Sequence, residues 1–220
     1  MPSPQMTPPL PQISTPDEDA ILDLLQECLP PQEREAALSH LARCPECESL
    51  FQARVRDWVG NGVERLVRRA LVGQLDGEPS DEEYERAYPI FLELYAENTS
   101  KRSHLFDGVE EGLAYLRSTG IRLGCVTNKA AQFTEPLLRD LGIAENFEIV
   151  ISGDSLPEKK PHPMPLLHGA EFFGVKPENA MMIGDSVSDV KASRAAGFQI
   201  VCMSYGYNHG QDIREANPDA

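Results

Sequence analysis

Three short segments in the second half of the chain carry side chains whose types and spacing suit phosphate chemistry. Thr127-Asn128-Lys129 follows an apolar run and sets a hydroxyl beside consecutive amides, a pairing that can hold a phosphoryl oxygen. Lys159-Lys160-Pro161-His162-Pro163 puts a lysine before a proline, where a restricted backbone can hold its point charge against clustered negative charge. Met181 to Asp189 runs from apolar residues through Gly184 to Asp185 and Asp189, two carboxylates of the hard-oxygen kind that Mg²⁺ prefers. Each segment also has a plainer use. A threonine after a strand caps the next helix, a loop lysine is commonly solvated, and paired acids complement a helix start.

A fourth cluster, His40-x-x-x-Cys44-Pro45-Glu46-Cys47, offers different chemistry. His40 and Cys44 fall on one face of a helix and a Cys-Pro-x-Cys turn brings Cys47 round, so three ligands can converge on tetrahedral Zn²⁺. Cys28 is the nearest further thiol, and water or an outside ligand could also complete the site. The alternative is a helical hairpin with reduced cysteines and no metal. Cys125 and Cys202 sit within apolar runs and read as small buried hydrophobes, while His162 and His168 receive no role.

The elements that must position these residues change character along the chain. Six prolines among residues 1–16 exclude helix and ladder, so 1–16 reads as an extended or disordered arm. Thr15-Pro16-Asp17-Glu18 starts a short helix that Pro30-Pro31 ends, and a second runs from about Gln32 to Cys44. Residues 17–50 hold nine acids against two arginines and form a zinc-finger-like helical hairpin. From Phe51 the spacing of Val55, Trp58, Val63, Leu66 and Val67, then Tyr84 to Tyr95, predicts a helical region over 51–104.

Residues 105–220 alternate: helix Val109–Ser118, strand Ile121–Val126, helix Phe133–Leu141, strand Glu148–Ile151, helix Met164–Phe173, strand Ala180–Ile183, helix Val187–Ala196 and strand Gln199–Met203. This order predicts an α/β fold with a parallel sheet, ligands gathering at the carboxyl ends of its strands. The three phosphate-suited segments all lie at or just after such ends.

Composition narrows the partners. The 220 residues are 41% hydrophobic and carry 20 basic against 35 acidic side chains, a net charge of −15. That balance repels phosphate backbones and argues against nucleic acid, so an anionic substrate must meet a local positive site. No apolar run approaches the roughly 18 residues of a membrane span, and no basic segment precedes one near Met1, so the chain reads as soluble, free of membrane and cytoplasmic. Five cysteines, an odd number, fit a reducing compartment.

In this order, Thr-Asn-Lys, Lys-Pro-x-Pro and Gly-Asp-Ser-x-x-Asp resemble the second, third and fourth motifs of the haloacid dehalogenase superfamily of phosphatases. Arg56 to Gly62 with Val67 to Leu71 is similar to the helical cap of its phosphoglycolate phosphatases, and Ser204 to Gly210 to a loop of theirs; the resemblance covers about 51–213. It implies a HAD-like core under a helical cap and Mg²⁺-dependent hydrolysis of a small phosphate monoester such as 2-phosphoglycolate. Thr127 and Asn128 would bind the phosphoryl group, Lys160 would orient it, Asp185 would hold Mg²⁺ and Asp189 would support the ion.

The family's first motif, an apolar strand ending in Asp-x-Asp-Gly-Thr, has no counterpart. The sole Asp-x-Asp, Asp17-Glu18-Asp19, lacks Gly-Thr and opens a helix. The resemblance therefore implies a core without its usual central first strand and without the attacking aspartate, hence impaired catalysis. It also implies a core abbreviated at its C-terminal end. Residues 19–50 resemble the zinc-finger module of bacterial anti-sigma factors, which implies a sigma-factor-like protein partner. A natural fusion, an engineered joining or a faulty gene model would each produce the change of character near Ser49 to Phe51. The activity and interaction readings of the chain stand side by side, with an anion-binding pseudophosphatase as a third.

Overall fold

The computed structural model describes residues 40, 43–59, 61–101, 103–206 and 208–220. The expected arm, the first hairpin helix and Cys28 lie outside the described residues. Three helices come first: α1 (Pro45–Trp58), α2 (Val63–Val72) and α3 (Asp81–Asn98). Helix α1 runs unbroken across Leu50 and Phe51, the place where the change in composition predicts a module boundary. Ser80 caps α3 with a reciprocal box, its hydroxyl accepting from the Glu83 amide while the Glu83 carboxylate accepts from the Ser80 amide, and three acids fill the first turn.

The three helices close around Val55, Trp58, Leu66, Val67, Ala87, Phe91 and Tyr95, all buried. Buried Arg69 ties their ends together, donating to the Trp58 carbonyl at 2.8 Å and the Leu75 carbonyl at 2.9 Å, so its donors are spent on backbone acceptors rather than left bare.

Beyond them the chain alternates: α4 (Val109–Ser118), β1 (Gly124–Val126), α5 (Ala131–Asp140), β2 (Ile149–Ile151), α6 (Met164–Phe173), β3 (Met181–Gly184), α7 (Val187–Ala196) and β4 (Gln199–Cys202). The strands pair in parallel as β1 with β2 and β3 with β4. Among the described residues these are two separate ladders, with no strand hydrogen-bonded between β1 and β3. Helix α6 bridges them, its Leu166 meeting Ala192 and Ala196 of α7 with Val126 of β1 and Met182 of β3 packed alongside. The outer edge of β4 is covered by the chain's own end: the Cys202 amide donates to the Ala220 carbonyl and the Asp219 amide to that of Ile200.

Short ladders leave apolar surface uncovered. The strand expected over 121–126 is regular from Gly124, with the Leu123 carbonyl accepting from the Glu148 amide just ahead of it and Ile121 exposed, and α4 buries none of its residues. Met181 and Ile183 on β3 are also exposed.

Candidate active site

The carboxyl ends of β1 and β3 converge below the helical region on a cavity of about 270 Å³. Its floor is Thr127, Asn128, Lys129, Lys160, Asp185, Ser186 and Asp189, and its roof Val59, Gly62, Val63, Leu66 and Tyr95. The three segments singled out for phosphate chemistry thus meet in one place, although Thr127 and Asp189 are far apart in sequence. Thr127 turns its hydroxyl to accept from the Lys129 amide at 3.1 Å, which fixes the loop, and Gly153 packs so tightly on it that any side chain there would strike the Asn128 carbonyl.

Lys160 is the hinge of the floor. It is 9% exposed; its Nζ donates to the Val126 carbonyl at 2.7 Å and lies 2.7 Å from Asp189 Oδ1, so one ammonium spans the two ladders. Its backbone carbonyl accepts from Asn128 Nδ2 at 2.9 Å. Asp189 Oδ2 accepts from the Ser186 hydroxyl at 2.8 Å and from the Ser186 and Asp185 amides at 3.1 and 3.2 Å. Burial would push the Asp189 carboxyl up; the Lys160 ammonium and these hydrogen bonds outweigh it and hold the group below the ordinary carboxylate range.

The donor set therefore divides the two acids. Asp189 is taken up by Lys160 and by the start of α7, while Asp185 lines the cavity. The donors fit Mg²⁺ through Asp185, since that ion takes one or two carboxylates and fills its shell with water and substrate oxygens.

Several contributors were not legible as site residues. Tyr95, fully buried in the helical core, stands over the floor, its hydroxyl accepting from Lys129 Nζ and its ring edge-on to Phe133 of α5 at 4.8 Å. Asn208 is buried, accepting from the Val187 amide at 3.0 Å and donating to the Gln211 carbonyl at 3.1 Å. Gly206 packs so closely on Asp185 that a side chain at 206 would collide with it. His209 Nδ1 meets the Asp57 carbonyl at 2.6 Å, so that nitrogen carries the proton. His162, given no role by sequence, accepts from the Met164 amide at 3.2 Å just ahead of α6.

His40, Cys44 and Cys47 meet outside this cavity, at the start of α1. Their ligand atoms all lie within 4.8 Å of one another, with His40 Nε2 at 3.1 Å from Cys47 Sγ. The Cys47 amide and thiol pull the Cys44 thiol below its ordinary range, and the same pairing raises Cys47.

The family model of haloacid dehalogenase-like hydrolases matches residues 35–203. A phosphoglycolate phosphatase of Nitrosococcus oceani is 69% identical over 169 residues, which span 77% of this chain and 75% of that protein. Another from Thiobacillus denitrificans is 44% identical over 84% of this chain and 80% of that protein. The crystal structure of a predicted phosphoglycolate phosphatase from Haemophilus somnus aligns with a TM-score of 0.77 and 32% identity, covering 93% of this chain and 85% of that one.

Proposed function

The chain is a phosphoglycolate phosphatase-like member of the haloacid dehalogenase-like hydrolase family, and from this we propose that its cavity binds a small phosphate monoester such as 2-phosphoglycolate with Mg²⁺ and hydrolyses it poorly. The observation that carries the reading is the cavity floor, where buried Lys160, the Thr127 loop and Asp185 face one space roofed by the helical region. Lys160 supplies the local positive charge that an acidic chain needs to hold a dianion, with the Thr127 hydroxyl and loop amides completing the oxyanion contacts. Asp185 would hold Mg²⁺, which supplies charge neutralisation of the phosphoryl oxygens. Asp189 fixes Lys160 and the start of α7. The roof of Val59, Val63 and Tyr95 excludes water from the bound ester.

Impairment follows from the carboxylates. Among the described residues lining the cavity only Asp185 and Asp189 are acidic; Asp189 is engaged, and Asp185 serving the cation leaves no further aspartate among those described residues to attack phosphorus. The chain's one Asp-x-Asp, at 17 to 19, lies outside the described residues. Loss of a covalent nucleophile costs on the order of 10⁴- to 10⁶-fold in kcat. Calorimetry with 2-phosphoglycolate should show binding that Mg²⁺ strengthens and Lys160→Ala abolishes, while turnover stays orders of magnitude below that of an active phosphatase. Rapid Mg²⁺-dependent turnover that Asp185→Ala abolishes would overturn the impairment.

A specific observation favours a second activity. The ligand atoms of His40, Cys44 and Cys47 lie within 4.8 Å of one another, so small side-chain adjustments bring them to the roughly 3.5–3.8 Å separations that Zn–N and Zn–S bonds impose in a tetrahedron. These residues are proposed to hold Zn²⁺, with Cys28 or an outside ligand fourth, in a module that docks a sigma-factor-like protein. One equivalent of zinc, lost in Cys44→Ser, supports the metal site; metal-free protein purified without chelator argues against it.

A further inference from the structure

Helix α1 has the His40, Cys44 and Cys47 cluster at one end and the cavity roof at the other. Its 14 residues make a rod of about 21 Å. Its first two turns are solvent-facing at Pro45, Glu46, Ser49 and Leu50, Leu50 by 66%, and packing on the helical core begins at Phe51. The last turn is held firmly, with Val55 and Trp58 in the helical core, and Val59, just beyond it, lines the cavity.

That last turn is latched to the acid side of the floor by one loop. His209, at a left-handed φ of 51°, bonds the Asp57 carbonyl, and at Gly210 an added Cβ would stand only 3.0 Å from the Asp57 carboxylate. On the same loop Asn208 bonds the Val187 amide and Gly206 lies against Asp185. A single segment therefore touches both the end of α1 and the carboxylate proposed to serve the cation.

We propose that a thiophilic divalent cation bound by His40, Cys44 and Cys47 tightens anion binding in the Thr127, Lys160 and Asp185 cavity, through α1 and the loop at 206–210. The proposal rests on the zinc and phosphate-ester readings above. Ligating three residues around the first turn of α1 supplies the fixed nucleus that a solvent-exposed helix end must otherwise form at a cost. The bistable element is the exposed start of α1, ordered or frayed. Ordering it lengthens the rigid rod that ends at Asp57 and steadies the His209 bond there, and with it the loop against Asp185. Coupling of this kind is reciprocal, so the ester must raise zinc affinity by the factor by which zinc raises ester affinity.

The test uses the full chain. Zinc affinity is measured by competition with a chromophoric chelator, with and without 2-phosphoglycolate and Mg²⁺, and ester affinity by calorimetry with and without one equivalent of zinc. Both should change by about 5- to 10-fold. Hydrogen exchange, which needs no ester, should slow on zinc addition in 45–59 and in 204–210. In His209→Ala zinc still binds and slows α1, while the effect on 204–210 and on ester affinity is lost. In the double variant Cys44→Ser, Cys47→Ser all zinc effects vanish. Stoichiometric zinc at the cluster with unchanged ester affinity and unchanged exchange at 204–210 would overturn the coupling alone. No zinc at the cluster would overturn the metal reading and the coupling together. Zinc effects persisting in the double variant would place the ion elsewhere and overturn both.

Discussion

Phe91 and Tyr95 in the helical region are wholly shielded from solvent, whereas Met181 and Ile183 on β3 are 55% and 48% exposed. The two regions solve the same problem differently. Three helices satisfy their backbones internally and need only bring apolar stripes together, which α1, α2 and α3 do around one core. Strands need partners on both edges and cover on both faces. Among the described residues each ladder holds a single pair, and α4 buries nothing. The α/β region is drawn together instead by Leu166 of α6 and by the buried Lys160 and Asp189 pair. A second small cluster, Val190 with Ile200 and Ile213, adds to this, so the region's cohesion is divided among small apolar groups and one ion pair in the cavity floor.

Urea unfolding followed by two probes can break or sharpen this contrast, because the single tryptophan, Trp58, sits in the helical core. Phe91→Ala should cost about 3–5 kcal/mol, read as an early fluorescence transition at Trp58. A comparable loss, about 3 kcal/mol or more, is expected in Asp189→Ala, which leaves the Lys160 ammonium buried and unpaired. That loss should appear in the circular-dichroism transition of the α/β region and leave the Trp58 transition nearly in place; coincident transitions in both variants would erase the contrast.

The same pair has a pH signature. The folded carboxyl of Asp189 is held below its ordinary value, so its contribution is complete above the unfolded pKa of about 3.9 and is lost as pH falls through the lower folded value. Stability of the α/β transition should fall with acid below about pH 4, and Asp189→Asn should flatten that slope. Removing the α3 cap with Ser80→Ala should cost about 1 kcal/mol and move the Trp58 transition only. Smallest of all, Ile183→Thr on the uncovered face should stay within about 0.5 kcal/mol, since little burial is lost. A cost of several kcal/mol there would mean that β3 is covered in solution.

How far sequence reading reached follows from where each signal resides. Helices α4, α6 and α7 begin and end where the periodicity placed them, because Gly108, Gly174, Ser186 and Gly197 punctuate them locally. The convergence of Thr127, Lys160 and Asp185 was legible because parallel topology sends strand ends to one side. The ion pair of Asp189 with Lys160 was not, since it depends on how one ammonium bridges two ladders. Tyr95 above Lys129 joins residues from separate regions, and nothing in the spacing of α3 distinguishes that tyrosine from its core neighbours. The span of α1 across Leu50 and Phe51 was hidden by a change in composition that helical hydrogen bonding ignores.

The proposal that the cavity captures a phosphate ester and hydrolyses it poorly is the one to test most directly. Phosphorus NMR of 2-phosphoglycolate mixed with equimolar chain and Mg²⁺ reads binding and hydrolysis in one sample. The expected spectrum holds a shifted ester resonance that persists for hours, with inorganic phosphate no higher than in Asp185→Ala. Prompt conversion to inorganic phosphate by the native chain, absent in Asp185→Ala, would contradict the claim.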